Sequence, residues 1–181
     1  MEATVSPKKS LLRRIISKKL LLWLLPAALI SYIVLMTADH FWFVSHTPKS
    51  FQVNWSGIWK THQYAGFSGN LIVQLPDPLP ENEDFTAEAY VYYPIYSTWK
   101  TGQFVKMEFQ GHFSPDSPTS AGISTNKINN GGSGGKMKFK GVAGNQIVEY
   151  VALISKHRTL IVGGYISSLP HDYGYFEISK E

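Results

Sequence analysis

Two patterns of apolar residues divide the chain. From Leu20 to Ala38, nineteen consecutive residues carry no formal charge, and a helix of that length reaches about 28 Å, enough to cross the hydrocarbon core of a bilayer. After this segment the apolar positions recur at every second residue, which is typical of half-buried strands. We therefore predict a mainly β protein with a single N-terminal transmembrane helix.

The alternation is clearest at 85–93, where Phe85 and Val91 share one face and Glu88 lies on the other. Glycine, proline, asparagine and aspartate separate such segments, as expected for turns. We predict about eight short strands in an antiparallel barrel, with a sandwich as the alternative. In-strand glycines favour the barrel because they permit sharp bends. The predicted strands are 56–64, 69–75, 85–93, 105–113, 136–140, 146–154, 158–167 and 173–179.

The domain organisation follows from these patterns. Phe41, Trp42 and Phe43 end the apolar segment in the manner of an interfacial aromatic belt. A cleaved secretory signal is the alternative, but its apolar region usually has about 7 to 15 residues before small residues at the cleavage site. We predict a basic cytoplasmic tail at 1–19, a transmembrane anchor at 20–43, a linker at 44–53 and a barrel-like domain at 54–181.

Charge is distributed unevenly between these parts. Six lysines and arginines precede Leu20 against the single acid Glu2, whereas residues 44–181 hold eleven cations and eleven anions. Positive charge beside a transmembrane helix favours the cytoplasmic side. We expect a bacterial inner-membrane protein whose N-terminus is cytoplasmic and whose barrel is extracytoplasmic, in the periplasm. A neutral domain also argues against a nucleic acid polymer as partner.

The candidate catalytic chemistry is sparse. The chain has no cysteine, and its six histidines lack the spacing of a metal site. Gly66-Phe67-Ser68-Gly69 lacks the spacing of a serine nucleophile motif. Glu88 and Glu108 lie on strands that can be neighbours and could form a carboxylate pair, although pairing with Lys106 or Lys138 across the outer face is the favoured interpretation. We predict no enzyme activity, no metal and no cofactor.

One aromatic concentration stands out between residues 90 and 99. Tyr90 and Tyr92 alternate with the predicted core positions, so they can form an exposed patch that binds a protein or a sugar. Ordinary packing between strands is the alternative. The candidate binding patch consists of Tyr90, Tyr92, Tyr96 and Trp99.

Two short motifs bracket the predicted barrel. The first strand begins with Gly57-Ile58-Trp59, and residues Gly164 to Ile178 form a closing hairpin with the pattern G-x-Y-x-S and then G-x-F. In these motifs the chain resembles the calycin superfamily, the lipocalin-like small barrels. The resemblance implies a closed barrel in which Trp59 packs across one end and has a structural role.

The same motifs behind an N-terminal anchor are similar to the membrane-tethered barrel effectors of bacterial anti-phage defence, which sense cyclic oligonucleotides. Those effectors have two membrane helices and a cytoplasmic barrel. This chain has one apolar segment and a charge distribution that predicts an exported barrel.

These observations lead to a functional hypothesis. We expect a single-pass, membrane-anchored binding or accessory module, a non-catalytic subunit of a membrane complex or its partner. Its expected partners are the bilayer, through residues 20–43, and a membrane protein or a second copy of the chain. The alternative is a carrier or sensor that binds a small ligand in the barrel lumen, including a cyclic-oligonucleotide sensor if the barrel is cytoplasmic.

Overall fold

The protein is described here from a computed structural model. By internal contacts the chain divides into two compact units, Met1–Ser45 and His46–Glu181. The structure describes residues 8–49, 51–63, 67–98, 102–115, 133–143, 146–168 and 171–181.

The first unit contains one long helix, α1, at Lys8–His46. Its sequence has no glycine and a single internal proline, Pro26, so little interrupts helical hydrogen bonding. The segment Leu22–His46 is long and apolar enough to cross a membrane. Leu22, Trp23 and Leu25 are each more than 60% exposed, and a helix that is apolar around its circumference suits a lipid environment.

The second unit is a closed antiparallel barrel of eight strands in sequential order. Each strand pairs with the next, and β8 pairs with β1 to close the sheet. A four-residue helix, α2 at Ile95–Thr98, lies between β3 and β4. The strands are β1 Trp55–Thr61, β2 Ser68–Gln74, β3 Asp84–Tyr93, β4 Gln103–Ser114, β5 Ser133–Ala143, β6 Gln146–Ser155, β7 Leu160–Ser167 and β8 Asp172–Lys180.

The first strand meets the last at a glycine of the first motif. Gly57 lies opposite Ile178, and a Cβ atom placed on Gly57 would lie 1.9 Å from the carbonyl oxygen of Glu177. A larger residue would therefore push β1 away from β8. The glycine in Gly57-Ile58-Trp59 thus permits the close approach that closes the barrel.

Two further glycines face inward and make space for aromatic rings. A Cβ on Gly111 would lie 2.5 Å from the ring of Phe85, and one on Gly141 would lie 2.5 Å from the ring of Phe109. Phe139 fills the space beside both rings, at 6.0 Å from Phe85 and 6.4 Å from Phe109 between centroids. Alternating glycine and phenylalanine therefore fit bulky side chains into a narrow lumen.

The fold prediction is confirmed in its main features. An N-terminal apolar helix precedes a closed antiparallel barrel of eight strands, which replaces the sandwich alternative. The strand predicted at 136–140 is longer, at Ser133–Ala143. The helix begins at Lys8 and is continuous through the predicted tail and anchor; the proposed division between tail, anchor and linker stays a prediction.

Candidate functional site

The lumen of the barrel is filled with side chains. On β6, Tyr150 packs edge to face on two aromatic rings, with centroids 5.3 Å from Phe109 of β4 and 5.5 Å from Phe176 of β8. A cavity of about 30 Å³ remains among apolar side chains of the same region, including Leu71 and Ile178. That volume holds a water molecule or two. Among the described residues, this part of the lumen has no room for a small-molecule ligand.

Among the described residues, every buried side-chain nitrogen and oxygen has a hydrogen-bond partner. The hydroxyl of Tyr150 lies 3.9 Å from the sulfur of Met107. Burial raises the pKa of Tyr150, and the neighbouring Tyr93 and Tyr165 raise it further because two tyrosinates would repel each other. The neutral form is therefore the one that fits the lumen.

A polar cluster lies at the end of the barrel where the β7 and β8 strands join. Asp172 accepts a hydrogen bond from the hydroxyl of Tyr165 at 3.1 Å and another from the hydroxyl of Thr61. Burial raises the pKa of Tyr165, and the negative charge of Asp172 adds to that effect. The cluster joins β1, β7 and β8 at the seam of the barrel, so its geometry serves closure.

The outer wall carries a groove of about 850 Å³ across β2 to β5. Glu88 on β3 lies directly opposite Glu108 on β4. Lys106 lies 3.0 Å from the carboxylate of Glu88 and 3.8 Å from that of Glu108, which offsets the repulsion between them. The outward-facing residues that line this polar groove are Gln74, Thr86, Glu88, Glu108, Gln110, Lys140 and Val142.

A second hollow of about 460 Å³ continues around the wall to β6. At one side of it, Nδ1 of His112 lies 2.8 Å from the carboxylate of Asp84. Lys138, Lys140 and Glu149 line the remainder. The two hollows share Gln110 and Lys140, so they form one extended polar surface on β2 to β6. We call it the outer groove.

The predicted tyrosine patch divides into different environments. Tyr92 is fully buried, with its ring 4.8 Å from that of Phe104. Tyr90 is half-buried and packs edge to face on Phe51 at 5.0 Å. Tyr96 donates a hydrogen bond to the carbonyl of Ser68 at 3.3 Å, and Trp99 lies outside the described residues. Binding by these residues stays a prediction, and Tyr92 has no exposed surface to contribute.

Trp59, for which we predict a structural role at one end of the barrel, lies in the core. Its indole nitrogen donates a hydrogen bond to the carbonyl of Tyr92 at 3.1 Å, and its ring lies 5.0 Å from that of Tyr93. Gly69 is its partner on β2, and a Cβ there would lie 2.7 Å from the indole nitrogen. Trp59 therefore links β1, β2 and β3 near one end of the barrel.

The acidic side chains of the outer groove are open to solvent. The side chain of Glu88 is 44% exposed and that of Glu108 is 77% exposed, so both carboxylates remain solvated. As expected from the sequence, Glu88 pairs with Lys106. Among the described residues, no cluster of three or more histidine, cysteine or acidic side chains could hold a metal ion.

Sequence patterns did not indicate the outer groove. Every second residue of β3, β4 and β5 was expected to face outward, but the register that places Glu88 beside Glu108 and Gln110 beside Lys140 depends on strand pairing. The available signals were the lysines that alternate at 136, 138 and 140, and the acidic residues Glu88 and Glu108 on strands that can be neighbours. These signals indicate outward faces but not the register between the strands.

Neither a protein-family model, nor a curated protein, nor a solved structure matches the chain.

Proposed function

We propose that this chain is a non-catalytic, membrane-tethered accessory module that binds a membrane-protein partner through the outer groove. Its helix anchors it in the inner membrane, and its barrel works on the extracytoplasmic side. The observation that carries the proposal is the contrast in available space. The described lumen cavity holds about 30 Å³, whereas the outer groove consists of hollows of about 850 and 460 Å³.

Composition of the groove supports a protein as the occupant. Carboxylates, amides and ammonium groups alternate across neighbouring strands, and such a surface can exchange hydrogen bonds with a polar protein partner. The exposed carboxylate of Glu108 is held only weakly, 3.8 Å from Lys106, so a partner cation could pair with it. The resemblance to calycins then concerns only the architecture, because a lumen packed with side chains does not support a lipocalin-like carrier function.

The topology of the proposal is tested with single cysteines, since the chain contains none of its own. Gln110→Cys lies in the outer groove, and Ser179→Cys lies on the outward face of β8. In intact cells, a membrane-impermeant maleimide should label both variants. Protection of both until the cells are opened would place the barrel in the cytoplasm and favour the oligonucleotide-sensor alternative.

Partner binding is tested with the same two variants. A short photo-crosslinker attached to Gln110→Cys should give one discrete adduct with a membrane protein in native membranes. The matched Ser179→Cys variant should give none. Equal adducts from both positions, or no adduct from Gln110→Cys, would contradict binding through the outer groove.

A further inference from the structure

Strand β5 presents a row of three lysines on the outer wall. Lys136, Lys138 and Lys140 occupy alternate positions, so they point to the same side of the sheet. None of the three forms an ion pair with another described residue. Lys138 and Lys140 are exposed, so the row concentrates positive charge on one part of a domain whose residues 44–181 carry no net charge.

Exposed apolar side chains flank the lysine row. Val142 follows the row on β5 and pairs with Ile147 on β6, while Val151 lies directly opposite Lys138. The exposed fractions are 52% for Val142, 41% for Ile147 and 37% for Val151. The outward face of β5 and β6 therefore combines lysines with solvent-exposed aliphatic residues. We call this surface the lysine wall. It shares Lys138, Lys140, Val142 and Val151 with the outer groove, so lipid docking and partner binding through these residues exclude each other.

This combination matches the chemistry of a bilayer interface. Lysines attract anionic headgroups, and their flexible stems reach past apolar neighbours that insert at the acyl boundary. Outward-facing acids are scarce on these two strands: Glu149 lies opposite Lys140 without an ion pair within 4.0 Å among the described residues. Charge complementarity thus favours an anionic lipid surface as the occupant.

The tether makes a weak interaction of this kind effective. Helix α1 ends at His46 and β1 begins at Trp55, and the residues between them span at most about 29 Å when fully extended. Phe51 packs on Tyr90, so only part of that segment is free of the barrel. A domain held this near a surface meets it at a high effective concentration.

We infer that the lysine wall docks onto the anionic headgroups of the bilayer in which α1 is anchored. The inference rests on the proposed membrane tether and adds a second membrane contact, made by the barrel. Each lysine near an anionic leaflet contributes roughly fivefold to the ratio of docked to undocked barrel. Losing all three should lower that ratio by roughly a hundredfold.

The test uses the full chain in lipid nanodiscs. A fluorophore on Val142→Cys reports from the lysine wall, and one on Ile58→Cys reports from β1, four strands away around the closed barrel. The quencher is a phosphatidylcholine spin-labelled at its headgroup. Discs contain phosphatidylcholine alone or with roughly 30 mol % phosphatidylglycerol, at about 0.15 M and about 0.5 M salt.

We expect quenching at position 142 in the anionic discs at low salt, and little quenching at position 58. Quenching at 142 should fall in neutral discs, at high salt and in Lys136→Gln/Lys138→Gln/Lys140→Gln. A control that removes lysines outside the lysine wall and the outer groove, Lys60→Gln/Lys180→Gln, should retain it. Circular dichroism melting curves verify that both multiple variants are folded.

The outcomes separate this inference from the membrane tether. Failure of the full chain to float with phosphatidylcholine vesicles would contradict the tether and, with it, the docking. If the chain floats but quenching at position 142 does not change with anionic lipid, salt or the lysine substitutions, the docking is overturned while the membrane tether is retained. Equal quenching at 58 and 142 would also overturn the docking, because the barrel would then approach the bilayer with no preferred side.

Discussion

The inner and outer faces of the barrel sheet differ in the space that they leave for a ligand or a partner. Inside, apolar side chains from all eight strands converge, and the cavity among them measures about 30 Å³. Outside, charged and amide side chains border hollows of about 850 and 460 Å³. Side chains converge on the concave face of a small barrel and diverge on its convex face. Closing the barrel therefore removes binding space from the lumen and creates it on the wall.

The largest expected effect comes from emptying the inner face. Phe109→Ala removes a ring that packs against Phe139 and Tyr150 and adjoins the existing cavity. It should lower the free energy of unfolding by about 3–5 kcal/mol, since the surrounding side chains cannot fully refill the space. Urea unfolding followed by tryptophan fluorescence, on the full chain in detergent, measures the change.

The neighbouring residue on the same strand provides the control. Gln110 points outward and is exposed, so Gln110→Ala should change the free energy of unfolding by less than about 0.5 kcal/mol. Similar losses for the two substitutions would contradict the contrast between a packed lumen and an open wall.

An intermediate effect is expected at the polar end of the barrel. Asp172→Asn replaces a carboxylate that accepts hydrogen bonds from Thr61 and Tyr165, and the new amide group cannot accept both in the same way. We expect a loss of about 1–3 kcal/mol in the free energy of unfolding. Asp77→Asn is the matched control because its carboxylate is 59% exposed beside Lys180. An equal loss of stability in Asp172→Asn and Asp77→Asn would show that the hydrogen bonds of the Asp172 cluster add no more stability than an exposed ion pair.

The smallest effect concerns pH. The pKa of Tyr150 is raised above its ordinary value of 10.0 because burial disfavours the tyrosinate. As the pH rises, Tyr150 therefore loses its proton in the unfolded chain before it does so in the folded chain. The contribution of neutral Tyr150 to the free energy of unfolding is complete below pH 10 and declines as the pH rises further. Between pH 8 and 11, the native chain should lose about 1.4 kcal/mol more stability than Tyr150→Phe does.

Unfolding curves of both proteins at the two pH values measure this difference. Tyr175→Phe, a half-buried tyrosine on the outward face of β8, is the control and should follow the native chain. If the pH dependence of Tyr150→Phe equals that of the native chain, the lumen does not exclude the charged form.

Much of the barrel was predictable because strand patterns are local. At β3 the alternation of Phe85, Ala87, Ala89 and Val91 identified the buried face, and all four side chains are buried. Pairing was harder to predict. The contact between β1 and β8 joins residues more than a hundred positions apart, for example Gly57 and Ile178, and no local pattern specifies it.

The candidate sites were less predictable for the same reason. Tyr92 lies on the outward side of β3, so alternation predicted exposure, yet it is fully buried beside Phe104. A residue's outward direction is a local property of its strand, whereas its exposure depends on what other segments cover it. Phe51 illustrates this dependence: the segment predicted as a linker places its ring on Tyr90.

The apolar helix, the strands, their inward faces and a barrel of about eight strands were predictable from the sequence. The tertiary structure added the choice of a closed barrel over a sandwich, the strand register that places Glu88 opposite Glu108, and the packing of the described core. Secondary structure follows from interactions between near neighbours along the chain. Closure, register and the remaining space depend on side chains that are distant in sequence and meet only when the sheet is complete.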